Sequence, residues 1–129
     1  MSTACLRCSD SEQRRRMPKD FIERRITSQH GLSLYVRDYP GPSGGTRTPL
    51  LCLGGLTRSS KDFGGIGKYH GRTRRVICPD TRGRSKSDYD PDWNNYRPET
   101  YVGDVRHILC ALGIHSVVVL GTSMGGIMG

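Results

Sequence analysis

The sequence predicts an α/β fold in which a β-hairpin is followed by parallel strands joined through crossover helices. Residues 32–39 alternate between apolar and polar side chains, which is typical of a half-buried strand. Short apolar runs at 50–53 and 75–78 indicate central strands covered on both faces. A further apolar run, 117–120, leads into Gly-Thr-Ser-Met-Gly. Because helical segments separate these runs, we expect a parallel sheet with right-handed crossovers.

Residues 1–19 predict a disordered leader, and residues 20–129 the folded domain. The leader is rich in Ser, Glu, Gln and Arg and has almost no aliphatic side chains, and Met17 is an alternative start. Cys5 and Cys8 form a Cys-x-x-Cys pair in this leader. A structural zinc site of this type needs a second pair, and none follows at suitable spacing, so we predict no metal.

The first half of the domain is expected to begin with strands over 21–28 and 32–39, paired around a turn at Gly31. A loop rich in Gly and Pro then leads to the strand at 50–53. Ser59 or Ser60 is expected to cap a helix over 61–69, and the next strand ends at Pro79, with a long polar loop over 81–97.

The second half contains the strongest helix signal. Pro98 suits a first helical position, and the apolar residues that follow at helical spacing predict an amphipathic helix that ends at Gly113. Asp104 is expected on its exposed face, as a surface carboxylate. Residues 116–120 form the last predicted strand, and barely one helical turn follows it.

The composition restricts the classes of partner and the cellular location that we expect for the protein. The net charge is +8 over 129 residues, but the basic side chains are scattered over several predicted elements without a nucleic-acid motif, so we interpret them as solvated surface and expect no nucleic-acid partner. No apolar run reaches the roughly 18 residues of a membrane span, and no secretory signal is visible. Five cysteines, an odd number, favour reduced thiols and a cytoplasmic location.

Four stretches in chain order resemble the α/β-hydrolase fold family, in its AB hydrolase-1, esterase- and lipase-like branch. They are the hairpin residues 31–35, the turn 53–56, the loop 79–88 and the segment 121–126. The likeness covers residues 20–129 and corresponds to the N-terminal half of that fold. The last segment alone is moderately specific, and the four stretches in this order are together far more specific.

The segment Gly-Thr-Ser-Met-Gly is the nucleophile elbow of this family, a tight strand-to-helix turn that presents a serine. Side chains two positions before and after the serine would collide with neighbouring backbone, and Gly121 and Gly125 remove them. The resemblance implies that Ser123 is the catalytic nucleophile, which needs a base to take its proton. A serine that only caps the following helix is the alternative reading.

The resemblance also implies an oxyanion hole made by two backbone N–H groups. One is expected from Met124, at the start of the helix after the elbow, and the other from Leu56, in the turn after strand 50–53. Family members often carry His-Gly at the first two positions of that turn, where this chain has Gly54 and Gly55.

Asp80 and Arg82 lie in the loop after strand 75–78. The resemblance implies a structural role for both: they brace the loop that supports the oxyanion turn. Ser85 stands in this loop at a position where glycine is common in the family.

The catalytic order in this family is Ser, then Asp or Glu, then His. The acid and the base are therefore expected after Ser123, and residues 124–129 contain neither. The four histidines precede Ser123, and none is expected to act as the base. We interpret the chain as a truncated part of a serine hydrolase that acts on an ester, lactone or related small-molecule acyl substrate without metal or organic cofactor, and expect it to be inactive alone.

Three alternatives stay open. The same fold serves acyltransferases and cofactor-free peroxidase-like enzymes, in which another acceptor takes the acyl group. A second alternative is that the chain is a non-catalytic short form that binds a partner through its open sheet edge. The same edge is expected to promote self-association. Binding of nucleic acid by the basic surface is the third.

Overall fold

The computed structural model describes residues 20–55 and 57–128, and it contains one mixed sheet of five strands in the order β1-β2-β4-β3-β5. Strands β1 and β2 form the antiparallel hairpin, β2 pairs antiparallel with β4, and β3 lies parallel to both β4 and β5. The strands are β1 Ile22–Thr27, β2 Ser33–Tyr39, β3 Leu50–Leu53, β4 Val76–Pro79 and β5 Val118–Gly121. The predicted hairpin followed by parallel strands is thus confirmed. The leader, Leu56 and Gly129 lie outside the described residues.

The helices cover both faces of the sheet in short pieces. They are a 3₁₀ helix at Ser60–Phe63, α1 at Gly64–His70, a second 3₁₀ helix at Trp93–Asn95, α2 at Pro98–Ala111 and α3 at Met124–Met128. The single helix predicted over 61–69 is therefore wrong in its form, because a 3₁₀ turn precedes the α-helix. Its cap is confirmed: the Ser59 hydroxyl accepts from the Lys61 N–H, and the Asp62 carboxylate accepts from the Ser59 N–H.

Glycine allows α1 to pack closely on the sheet. A Cβ at Gly67 would overlap the aromatic ring of Tyr39, so any larger residue would push the helix away from β2. The low helix propensity of the glycines in α1 is offset by this close contact. The polar loop predicted over 81–97 is correct except for the short 3₁₀ turn within it.

Two apolar clusters form the core, one on each face of the sheet. The cluster on the α2 face contains Leu34, Val36, Leu51, Leu53, Ile77 and Ile108. The cluster on the other face contains Tyr39, Leu50, Cys52, Phe63, Val76 and Cys78. Both strands β3 and β4 are buried on each side, as their wholly apolar sequences predict. No helix in the described part of the chain is long and apolar enough to cross a bilayer.

Candidate active site

The turns that follow β3 and β5 lie side by side at the carboxyl edge of the parallel strands. Leu53 and Gly121 are paired in register at the ends of these strands. The Thr122 N–H donates to the Leu53 carbonyl over 3.1 Å, which ties the two turns together. Parallel strands of an open α/β sheet present their ligand-binding crevice at this edge.

Ser123 occupies the tip of the second turn in a left-handed backbone conformation, with φ of +52°. A non-glycine residue there is strained and persists only where its surroundings hold it. Hydrogen bonds on both sides close the turn: Gly125 N–H donates to the Thr122 carbonyl and Gly126 N–H to the Ser123 carbonyl, both over 3.0 Å. The serine side chain is exposed at this tip.

The two glycines of the turn are required by backbone contacts. A Cβ at Gly121 would lie 2.5 Å from the Gly125 carbonyl oxygen. A Cβ at Gly125 would overlap the carbonyl of Leu53 at the end of β3. The strand-to-helix turn can therefore approach β3 only because both side chains are absent.

The turn after β3 borders Ser123 directly. The position that a Cβ would take on Gly55 is 3.4 Å from the Cβ of Ser123. The Arg58 N–H donates to the Gly55 carbonyl over 3.1 Å and closes this turn. Met124, on the other side, is the first residue of α3, and the first N–H groups of a helix have no acceptor within it. Leu56, the other expected N–H donor, lies outside the described residues.

Asp80 links the first 3₁₀ helix to the loop after β4. It is almost fully buried, and its carboxylate accepts from the Ser60 N–H over 2.6 Å and from the Lys86 N–H over 3.3 Å. Its backbone carbonyl accepts from the Ser87 hydroxyl over 2.7 Å. Since Ser60 follows the Gly55–Arg58 turn within two residues, these bonds hold the start of the helix that leaves the turn.

Arg82 is fully buried and lies in a network of ionic and hydrogen-bonding partners. Its guanidinium donates twice to Asp104, over 2.9 and 2.6 Å, and once to Asp90 over 2.7 Å, with the His30 ring at 2.8 Å. Burial alone would lower the pKa of Arg82, but the hydrogen bonds and charges of Asp104 and Asp90 raise it above its ordinary value. Arg82 therefore stays charged within the core.

The prediction of Asp104 as a surface carboxylate is wrong. Asp104 is 4% exposed and pairs with Arg82. Helical periodicity places it beside Tyr101 and Ile108 on the buried face of α2, which a carboxylate can occupy only when a buried cation meets it. The signal that sequence reasoning missed is the arginine 22 positions earlier.

The histidines occupy other parts of the molecule. His30 contacts Arg82 through its ring, and His70 ends α1 with its ring against Tyr69. His107 is on the exposed side of α2, and His115 is exposed before β5. Within residues 20–55 and 57–128, no hydrogen bond joins a histidine to Ser123, and no cluster of His, Cys, Asp and Glu suits a metal ion.

A strained serine thus lies at the tip of a strand-to-helix turn at the carboxyl edge, with a second turn beside it. Residues 48–129 match the family described as the alpha/beta hydrolase fold. The chain belongs to the α/β-hydrolase fold family.

Its relatives among α/β hydrolases are of several kinds. An alpha/beta hydrolase from Novosphingobium aromaticivorans is 40% identical, with a TM-score of 0.79 over 84% of this chain and 38% of its own. A 3-hydroxybutyrate-oligomer hydrolase from Cupriavidus necator is 39% identical over 62% of this chain and 27% of its length. The sn-1-specific diacylglycerol lipase ABHD11 of Danio rerio is 36% identical over 79% of this chain and 31% of its length.

An epoxide hydrolase from Vigna radiata, 22% identical with a TM-score of 0.73 over 85% of this chain and 34% of its own, shares the fold. The chain spans about a third of the length of the relatives it matches.

Proposed function

We propose that this chain carries the nucleophile and the oxyanion hole of a serine hydrolase that cleaves an ester or a related acyl substrate. The observation that carries the proposal is the left-handed Ser123 on a turn packed against the Gly55–Arg58 turn. A backbone this strained is retained where function needs the side chain presented. The names of two relatives, an oligomer hydrolase and a lipase, support ester substrates.

The proposed reaction follows from the groups at the site. A base removes the Ser123 proton as Oγ attacks the substrate carbonyl carbon, and the carbonyl oxygen becomes an anion. The N–H groups of Met124 and Leu56 stabilise that anion. The leaving alcohol takes the proton, and water then hydrolyses the acyl-enzyme and restores the serine.

Serine chemistry favours acyl substrates over epoxides. If a serine oxygen opened an epoxide, it would form an alkyl ether, and water does not release an ether under mild conditions. An acyl-serine is an ester, which an activated water cleaves. A serine at the tip of this turn therefore favours an acyl substrate over an epoxide for this chain.

We propose that the acid and the base come from the part of the full-length protein that follows residue 129. The catalytic order of the fold places them there. The relatives are about three to four times as long as the stretch they share with this chain, which leaves room for such a segment. Without that acid and base, residues 1–129 alone are expected to bind an ester substrate but not to hydrolyse it.

The test uses a fluorophosphonate probe, which reacts with activated serines. The full-length protein is expected to be labelled, and Ser123→Ala to abolish labelling. Ser85→Ala is the matched control, because Ser85 is also a non-glycine residue with positive φ and is exposed. Labelling that survives in Ser123→Ala would reject Ser123 as the nucleophile. Turnover of p-nitrophenyl butyrate by residues 1–129, lost in Ser123→Ala, would reject the placement of the base.

A further inference from the structure

Arg58 lies at the rim of the proposed nucleophile. The position that a Cβ would take on Gly55 is 3.9 Å from the Cγ of Arg58 and 3.4 Å from the Cβ of Ser123. Both side chains therefore border the same point on the turn after β3. From that Cγ position, the exposed arginine side chain is long enough to reach a substrate held at Ser123.

The charge of Arg58 is largely unused by the protein. Its recorded ionic partner among the described residues is Asp62, at 3.7 Å, a distance longer than a direct hydrogen bond. Asp62 is itself engaged, since its other oxygen accepts from the Ser59 N–H over 2.8 Å. The Arg58 side chain is 65% exposed, so a pair of this kind contributes little to stability.

We propose that Arg58 binds a carboxylate on the acyl part of the substrate and so gives the enzyme a preference for anionic esters. This inference rests on the proposed function of Ser123. A guanidinium binds a carboxylate through two parallel N–H bonds, which fixes the orientation of the acyl chain as well as its charge. A carboxylate a few bonds away from the ester carbonyl would span the gap between Arg58 and Ser123.

Two esters of equal chain length test the preference in the full-length protein. Mono-p-nitrophenyl glutarate carries a terminal carboxylate where p-nitrophenyl valerate carries a methyl group. Arg58→Gln is expected to lower kcat/KM for the glutarate by about 10- to 100-fold, while the value for the valerate stays within about 2-fold, because a charge-assisted bond is lost only with the anion. Arg58→Lys should recover part of the loss, since it keeps the charge but not the bidentate geometry.

The control is Arg72→Gln, which removes another exposed arginine, located just beyond the end of α1. It keeps the same net charge as Arg58→Gln, and it should leave the ratio of the two kcat/KM values unchanged. An equal loss in both arginine variants would assign the effect to the overall positive field and overturn the proposal. An unchanged ratio in Arg58→Gln would overturn it as well.

The role of Arg58 and the role of Ser123 can fail independently, and different measurements test them. If fluorophosphonate labels Ser123 and the valerate is cleaved without any preference for the glutarate, the nucleophile stands and the role of Arg58 falls. If no ester is turned over, binding of monomethyl glutarate to Ser123→Ala, followed by NMR, still tests Arg58. The dissociation constant should rise about 10-fold or more when Arg58→Gln is added; equal binding, or none in either protein, overturns the inference.

Discussion

Ser123 combines an unfavourable backbone conformation with an exposed side chain. A positive φ is unfavourable for a residue with a Cβ, yet Ser123 adopts it at the exposed tip of the turn. Neighbouring glycines relieve the crowding that results, because Gly121 and Gly125 leave room for the two backbones to touch. The strain is thus held by contacts to β3, which belongs to the most buried part of the sheet.

Replacing Gly125 by alanine tests this arrangement. The added methyl group would overlap the Leu53 carbonyl, so the turn must move away from β3, and Ser123 must move with it. We expect fluorophosphonate labelling to be lost and the free energy of unfolding to fall by about 1–3 kcal/mol. Gly126→Ala is the control, because its Cβ would meet its nearest neighbour, the Gly121 carbonyl oxygen, at an ordinary 3.6 Å. Normal labelling of Gly125→Ala would contradict the proposed fit.

Residue roles were predictable where a local motif fixes the geometry and not where a partner comes from far along the chain. The need for glycine at 121 and 125 follows from the turn alone, and the structure gives each a colliding backbone atom. Asp104 was misplaced because its partner, Arg82, lies on a different element. The approach of Arg58 to Ser123 is also invisible in the sequence, since the two residues are 65 positions apart and meet only through the pairing of β3 with β5.

At the scale of elements, β2 carries a buried charge that ties together both of its neighbouring strands. Asp38 is fully buried and accepts from Arg24 of β1 over 2.6 Å and from Arg75, just before β4, over 2.8 and 3.0 Å. Burial alone would raise the pKa of Asp38, but the hydrogen bonds from Arg75 and Arg24 outweigh it and hold that pKa below its ordinary value. The carboxylate therefore links β2 to β1 and to the residue just before β4.

Acid should weaken this connection. Because the native pKa of Asp38 lies below the unfolded value of 3.8, its contribution is complete above about pH 5 and is lost as the pH falls through the native pKa. Asp38→Asn should lower the free energy of unfolding at pH 7 by about 2–4 kcal/mol, less than for a wholly buried pair because both arginines keep contact with solvent. The substitution should also make the free energy of unfolding depend less on pH in the acid range, as measured by urea denaturation between pH 2 and pH 7.

Asp20→Asn is the matched control for that experiment, since Asp20 is largely exposed and its ion pair with Lys68, within the described part of the chain, is 4.0 Å long. It should change stability by no more than about 0.5 kcal/mol at any pH. An equal acid dependence in Asp38→Asn and the unaltered protein would show that other carboxylates dominate. Strands β3 and β4 were predictable, since their apolar runs suit burial on both faces of the sheet. The cap at Ser59 was predictable too, but the 3₁₀ form of the turn after it was not, because a cap marks where a helix begins and not its hydrogen-bonding pattern.

Across the whole molecule, the two edges of the sheet differ in character. β1 carries the charged residues Glu23, Arg24 and Arg25, which oppose pairing with another strand. β5 has no charged side chain, and Val118, Val119 and Leu120 are 47, 40 and 36% exposed. Beside it runs a groove of about 360 Å³ lined by apolar side chains of β3 and β5 together with Arg47, His70 and Arg74. An exposed apolar strand edge of this kind can pair with a strand of another molecule.

We expect residues 1–129 to self-associate through β5, with an affinity that rises with salt. The net charge of +8 makes two copies repel each other, and added salt screens that repulsion while leaving apolar contact intact. Val118→Lys should shift the sedimentation profile toward monomer, because it places a charge on the open edge. Ile22→Lys is the control, since Ile22 is 45% exposed on the opposite edge, close to the 47% of Val118. If both variants associate like the unaltered chain, or if association weakens as salt rises, β5 is not the contact surface.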